Sequence, residues 1–313
     1  MLLSQGDSMD GPVVACVPNF SEGVDEACVR AIVCAMRVEG VRLLDWSMDS
    51  DHNRSVITVA GPPAAVVESA VRAVGKAAER IDLTRQTGVH PRIGAADVIP
   101  FVPVSHVSLD KCAMMARQAG AEIWKRYGVP VYFYEAAAAR PDRANLEDVR
   151  RGQFEELREL VKKESSRRPD VGGPELHHTA GASAVGARKF LVAYNVYFDT
   201  ADVSIVRAMA KELRASSGGL AGVKALGVLA HGRAQLTMNV TDLHATPVSK
   251  VYTRILKLAT RHKVEPVEAE IIGLLPQIAY EQDSEWMRLL DKFDPATKVL
   301  ERRLETPQPW PEG

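Results

Sequence analysis

His90 stands in Gly88-Val89-His90-Pro91-Arg92-Ile93-Gly94, a setting suited to proton transfer. An imidazole with an ordinary pKa of about 6.5 changes charge near working pH, so it can take and return a proton in one cycle. Pro91 holds the histidine in extended geometry, and the flanking glycines permit sharp turns. Most lone histidines are structural; the proline, the glycines and the adjacent Arg92 set this one apart. The chain's eight histidines form no HxxxH or HExxH, which disfavours a zinc site. A second polar segment, Asp49-Ser50-Asp51-His52-Asn53-Arg54, joins two predicted strands. It reads as a polar hairpin tip, yet Arg54 begins a strand and so has a rigid base. A guanidinium presents a planar fork of donors that matches a carboxylate.

Two further segments are polar or glycine-rich where the chain turns. Pro18-Asn19-Phe20-Ser21-Glu22-Gly23 follows the first predicted strand, where α/β proteins place ligand groups. The same residues also suit a capping turn, and the two roles are compatible. The stretch from Gly172-Gly173-Pro174 through His177, His178, Gly181 and Gly186 to Arg188-Lys189 is dominated by small residues. It reads either as backbone that approaches a flat ligand closely or as a flexible interdomain linker. It is neither a Walker loop nor a dinucleotide fingerprint. Gln235 and Asn239 lie four apart on a predicted strand and share a face. They are cleft lining or satisfied core amides.

These segments hang on short β-branched runs that alternate with helix-period runs. Strands are predicted at 13–17, 41–45, 55–60, 98–104 and 129–134, and helices at 24–37, after Pro63 and after Ser108. The helix after Pro63 is marked by Val67, Ala70, Val71 and Val74 at i, i+3, i+4, i+7. Pro100 and Pro103 argue for an edge strand or a bulge at 98–104. Residues 135–170 are dense in charge of both signs and read as a solvated connector between two units. The pattern then restarts, with strands near 189–197, 223–230, 234–241 and 267–272 and helices at 202–214, 248–262 and from about 277. Short strand–strand links favour an α+β fold with mixed sheets over a purely parallel doubly wound one.

Composition narrows the class. The chain has 313 residues, about two domains' worth. With 46% hydrophobic and 25% charged residues it has the profile of an ordinary globular protein. A formal net charge of −1 supplies no excess of positive charge for sequence-independent nucleic-acid binding, so no nucleic-acid partner is expected. No apolar run approaches the roughly 20 residues of a membrane-spanning helix, so no membrane association is expected. Cys16, Cys28, Cys34 and Cys112 form no CxxC, which suggests reduced thiols and a cytoplasmic location.

Five segments occur in order between about Val13 and Pro276: VPNFSEG, DHNRSV, TGVHPRIGAADVIPFVPV, GVPVYFYE and GASAVGARKFLVAYNV. Together they resemble the glutamate formimidoyltransferase family. The resemblance implies transfer of a formimino group from N-formimino-L-glutamate to N5 of tetrahydrofolate, with release of L-glutamate, as in histidine degradation and one-carbon metabolism. It implies two α/β sandwich subdomains with mixed sheets, a folate cleft between them, and a homodimer. The expected bounds are 12–178 for the N-terminal subdomain and 179–304 for the C-terminal one, with 1–11 and 305–313 disordered. His90 corresponds to the family's catalytic histidine. The substrate carboxylates are assigned to Arg54 and Arg92, with Asn19 and Asn53 beside them. Folate is assigned to Gly172, Gly173, Pro174, His178, Gly181, Arg188 and Lys189. Tetrahydrofolate is a co-substrate, and no metal is required. Two departures stand out: Ser47 replaces an acidic residue of the animal relatives, and Ala180 replaces a tryptophan. Two other readings share these residues: formyl transfer between 5-formyltetrahydrofolate and glutamate, and a folate-binding homologue without catalysis.

Overall fold

The computed structural model describes residues 11–88, 90–282, 284–291 and 293–312. The chain forms two compact units. One contains residues up to 43, 48–188 and the segment from Pro309; the other contains 44–47 and 189–308.

The first unit runs β1 (Val13–Cys16), β2 (Asn19–Phe20), α1 (Glu26–Ala35), β3 (Arg42–Asp49), β4 (Arg54–Gly61), α2 (Pro63–Arg80), β5 (Ala96–Ser105), α3 (Leu109–Tyr127), β6 (Val131–Glu135), α4 (Leu146–Val149), α5 (Gln153–Lys163) and β7 (Ser183–Ala187). Local chemistry sets the helix ends. Asp25 accepts the Cys28 amide at 3.1 Å to start α1. Ser108 accepts the Lys111 amide at 3.2 Å to start α3, which stops at Gly128 with φ +63°. The stripe Val67, Ala70, Val71 and Val74 of α2 is buried, as its spacing predicts.

Both β1 and β2 lie antiparallel between β4 and β5, and β3 pairs β4 on the outer side. Beyond β5, strands β7 and β6 pair in parallel. The expectation of an edge position for the proline-bearing strand is overturned: β5 is interior. The alternative, a bulge, is what occurs. Its pairing slips at Val13/Val14 and again at Asn19/Phe20, where Asn19 faces Val98 and Phe20 faces Ala96, leaving Asp97 unpaired.

Two other expectations change. Residues 135–170 are not a connector between units. They fold onto the first sheet, with Val149, Leu157 and Val161 buried against Ile93, Val98, Tyr132 and Tyr134. The charges of α5 occupy its outer face, while its apolar stripe supplies core. The division between units also falls later than 178/179, after Arg188, because Ser183–Ala187 inserts as an inner strand. Small residues are needed there. A Cβ on Gly186 would lie 2.5 Å from the Tyr134 ring. Among the C-terminal residues expected to be disordered, Glu305 ends a helix and Cys34 Sγ donates to the Pro311 carbonyl at 3.6 Å, so this end is placed. Residues 1–10 and Gly313 lie outside the described residues.

The second unit has β8 (Val192–Phe198), α6 (Val203–Leu213), β9 (Val223–Ala230), β10 (Arg233–Val240), α7 (Val248–His262), β11 (Pro266–Ile272), and short helices α8 (Gln277–Glu281), α9 (Pro295–Lys298) and α10 (Leu300–Glu305). Its sheet, ordered β11-β8-β10-β9, is antiparallel throughout rather than mixed. The two-residue turn His231-Gly232, both at positive φ, forces β9 and β10 into a hairpin. Val206, Met209, Val251 and Ile255 of the two long helices pack on Tyr194, Val196 and Leu236. The opposite face is polar. Glu270 Oε1 accepts from Asn195 at 2.8 Å, Tyr197 at 2.8 Å and Gln235 at 3.3 Å. Gln235 is fully buried with its Oε1 unpartnered, whereas Asn239 is exposed.

Candidate active site

A small cavity in the first unit is lined by Asn19, Phe20, Ser21, Asn53, Arg54, His90, Arg92 and Asp97. Three sequence segments far apart in the chain meet there. The loop carrying Asn53 and Arg54 is fastened by the Asn53 side chain. Its amide donates to Gln86 Oε1 at 2.5 Å and the Thr87 carbonyl at 2.7 Å, and its oxygen accepts the Gly23 amide at 2.9 Å. Gln86 in turn donates to Glu22 Oε2 at 2.7 Å. Asn53 therefore ties three loops together rather than offering free groups to a ligand. Asn19 lines the cavity, and its amide donates to the Val17 carbonyl at 2.8 Å.

The loop after α2 is seated from the other side. Ser21 donates to the Gly94 carbonyl at 2.7 Å, and Ala182 N–H donates to the Ile93 carbonyl at 2.9 Å. A Cβ on Gly94 would stand 2.0 Å from the Ala182 carbonyl oxygen. Overpacking of this kind costs about 1–3 kcal/mol. Gly94→Ala is expected to lower the urea midpoint accordingly and to reduce turnover, because the loop that carries His90 must shift. An unchanged midpoint would refute the close-approach argument.

The ring of His90 has a defined tautomer. Nδ1 faces the Pro91 carbonyl at 2.9 Å, and a carbonyl can only accept, so Nδ1 carries the proton. Nε2 contacts Arg54 Nη1, which can only donate, so Nε2 is the acceptor. Withdrawal from water lowers the His90 pKa well below 6.5, and Arg54, Arg150 and His52 lower it further. The imidazole is thus neutral, with its basic nitrogen covered by a cation.

Arg54 is a cation with unmet needs. Its Nε is buried without a hydrogen-bond partner. Burial and the nearby Arg150 and Arg188 push its pKa down to about 9, against the pull of Asp97 and Asp49, and it remains charged at neutral pH. Asp97, aimed into the cavity by the β5 bulge, is already engaged by the Ile93 amide at 2.8 Å and by Arg150 Nη2. Arg92 lines the cavity too, but its Nη2 holds the Gln86 carbonyl at 2.5 Å and Glu155 at 3.0 Å. Both arginines nominated for substrate carboxylates leave a buried Nε unpartnered, but Arg92 has a carboxylate partner in Glu155 where Arg54 has the neutral His90 ring.

The residues nominated for folate do not line this cavity. Gly172, Pro174, His178 and Lys189 are exposed and Gly173 is half-buried. Gly181 is fully buried at φ +67°, where a Cβ would lie 2.1 Å from the Ile93 carbonyl oxygen. Its glycine is explained by packing. Arg188 joins the first sheet, its N–H donating to the Phe101 carbonyl at 3.1 Å. Ala180 is buried and lends no stacking surface. Asp97, Arg150 and His52 were not singled out from the sequence. Arg150 lay within a charge run, and His52 comes to 6.3 Å of His90 only in the fold.

Fold and site together define an α+β protein whose first unit carries a buried, cation-rich pocket around a neutral histidine. The profile described as "Formiminotransferase domain, N-terminal subdomain" matches residues 13–188, and "Formiminotransferase domain" matches 193–302. The chain is 42% identical to a glutamate formimidoyltransferase of Thermoplasma acidophilum, covering 94% of this chain and 97% of that protein. It is 40% identical to one of Streptococcus pyogenes serotype M1, covering 93% and 98%. It is 36% identical to a formimidoyltransferase-cyclodeaminase of Gallus gallus, covering 85% of this chain and 51% of that protein. The chain belongs to the formiminotransferase family.

Proposed function

We infer that the protein transfers the formimino group of N-formimino-L-glutamate to N5 of tetrahydrofolate, releasing L-glutamate. The observation that carries this reading is the cavity in which His90 Nε2 and an undersatisfied Arg54 converge. Its polar lining, with Asn19, Asn53, Arg54 and Arg92 around His90, suits the amino-acid end of the donor. N5 attacks the amidine carbon and a C–N bond forms. His90 Nε2 takes the proton that N5 gives up. The resulting imidazolium returns a proton to the glutamate nitrogen, and the C–N bond to glutamate breaks as the C=N bond re-forms. The Pro91 carbonyl holds Nδ1–H throughout and fixes the ring direction. Arg54 holds a donor carboxylate; a hydrogen bond to a charged group is worth about 1.5–3 kcal/mol net. Arg92, Asn19 and Asn53 shape the pocket. On the family resemblance, the 172–178 segment and Lys189 bind the folate, and the protein works as a cytoplasmic homodimer.

The test is an absorbance assay with tetrahydrofolate and N-formimino-L-glutamate. Acidification cyclises 5-formiminotetrahydrofolate to the strongly absorbing methenyl form. A signal that needs both substrates is expected. Signal with 5-formyltetrahydrofolate and glutamate, and none with the formimino donor, would move the assignment to formyl transfer.

A further inference from the structure

Arg54 and His90 form a contact that cannot persist during catalysis as just described. A guanidinium N–H occupies the one ring nitrogen that has a lone pair. While that bond lasts, Nε2 cannot accept a proton from a substrate. We propose that Arg54 is a latch: it covers the His90 base in the free protein and leaves it when a donor carboxylate arrives, so that only an anionic donor activates the base. This rests on the formimidoyltransferase reading of the site.

The charges around the pair favour such an exchange. Asp97, the carboxylate lining the cavity, already receives the Ile93 amide and Arg150. Arg54 therefore has a neutral acceptor in His90 where a buried cation gains more from an anion. Arg150 and Arg188 add positive charge on its side, and Asp49 is a further attractive charge. His90 is faced by Arg54, Arg150 and His52, and Pro91 contributes only a carbonyl dipole. A carboxylate that enters would draw Arg54 off Nε2 and offset the positive field at the ring. Both changes favour the imidazolium, so binding makes the base stronger as well as free. Specificity follows from the same step. A neutral amidine that fits the cavity would leave the latch in place.

The experiment is an NMR titration of the protein with ring-15N histidine, following His90 as assigned by its loss in His90→Ala. In the free wild type, the His90 signals are expected to show the neutral Nδ1–H pattern and no titration near pH 6.5. Saturating glutamate, the product that carries both carboxylates, is expected to raise the apparent pKa by about 1–3 on the pH scale, the usual effect of changing a neighbouring charge. Arg54→Gln is expected to raise it without glutamate, and Arg54→Lys, which keeps the charge, to leave it low. Glutamate binding that shifts other site signals but not the His90 pKa would overturn the latch and leave the transferase reading intact. No glutamate binding at all would count against that reading, and Arg54→Gln would still decide the latch: an unmoved His90 pKa refutes it. Should Arg54→Gln not fold, the glutamate arm in wild type decides. Kinetics separate holding from unlatching. The diamide of N-formimino-L-glutamate is expected to lose kcat at least tenfold; a rise in KM with kcat retained would mean that the carboxylate only binds.

Discussion

His90→Ala is expected to fold with an unaltered circular dichroism spectrum and to lose roughly 10²–10⁴-fold in turnover, the usual contribution of a placed general acid/base. The ring is not part of the core; it is half-buried and held by one carbonyl and one guanidinium. Its removal should therefore affect the proton transfer far more than the fold. A wild-type rate in this variant would remove His90 from the mechanism. The pH dependence gives an independent check. Burial and the neighbouring Arg54, Arg150 and His52 hold the His90 pKa well below 6.5 in the free protein. The ring is then unprotonated at pH 6.5, and the acid limb of kcat/KM should fall below that value. Stability has the same sign. A folded-state pKa below the unfolded one means that the unfolded chain binds the extra proton first. His90 then costs stability as pH falls from about 6.5 towards its folded pKa. His90→Ala should lose this acid-sensitive portion, so its stability relative to wild type should improve between pH 7 and pH 5. Equal offsets at both pH values would show that His90 does not titrate low.

What could be read from the chain, and what could not, divides by range of interaction. Periodicity located α2 and the Ser108 cap located α3 because these signals are local in the chain. The turn chemistry around His90 and Arg54 was also local, and it led to two residues that meet in the fold. The charged stretch 135–170 reads as solvated because its polar residues outnumber the few large side chains, Phe154, Leu157 and Val161, that are buried. The glycines and alanines near 181–187 looked like a ligand cradle. Gly181 and Gly186 are small because the Ile93 carbonyl and the Tyr134 ring stand against them. Neither cause is visible without the pairing of β7 between β5 and β6. Asp97 and Arg150 escaped notice for the same reason: they are a site pair only after a bulge turns one towards the other. Departures from local rules, here a bulge in an interior proline-bearing strand, coincide with the candidate pocket.

Asp97→Ala is expected to destabilise the protein by about 3–5 kcal/mol, the cost of breaking a buried ion pair by removing one partner. The Asp97 and Arg150 side chains are 4% and 12% exposed, so solvent cannot take over the lost contact. Asp97 Oδ1 also accepts the Ile93 amide at 2.8 Å, and that donor would be left unpaired inside the unit. More follows from the location than from the pair alone. Arg150 and Arg188 both act on Arg54, and Asp97 is the strongest attractive charge to which Arg54 responds. Without it, Arg54 is left with the weaker pull of Asp49 against the push of Arg150 and Arg188. Added anions should then rescue the variant: glutamate or sulfate should raise its urea midpoint by more than they raise that of wild type. Replacing both partners, as Asp97→Leu with Arg150→Met, removes the unpaired charge and should recover much of the loss, because a buried pair exchanged for apolar residues is often nearly neutral. Urea denaturation of the two single variants and the double variant closes the cycle. A loss below about 0.5 kcal/mol for Asp97→Ala, the range of an ordinary surface change, would mean that Arg150 has water or another acceptor within reach. The bulge would then have to be explained without the charge it aims into the pocket.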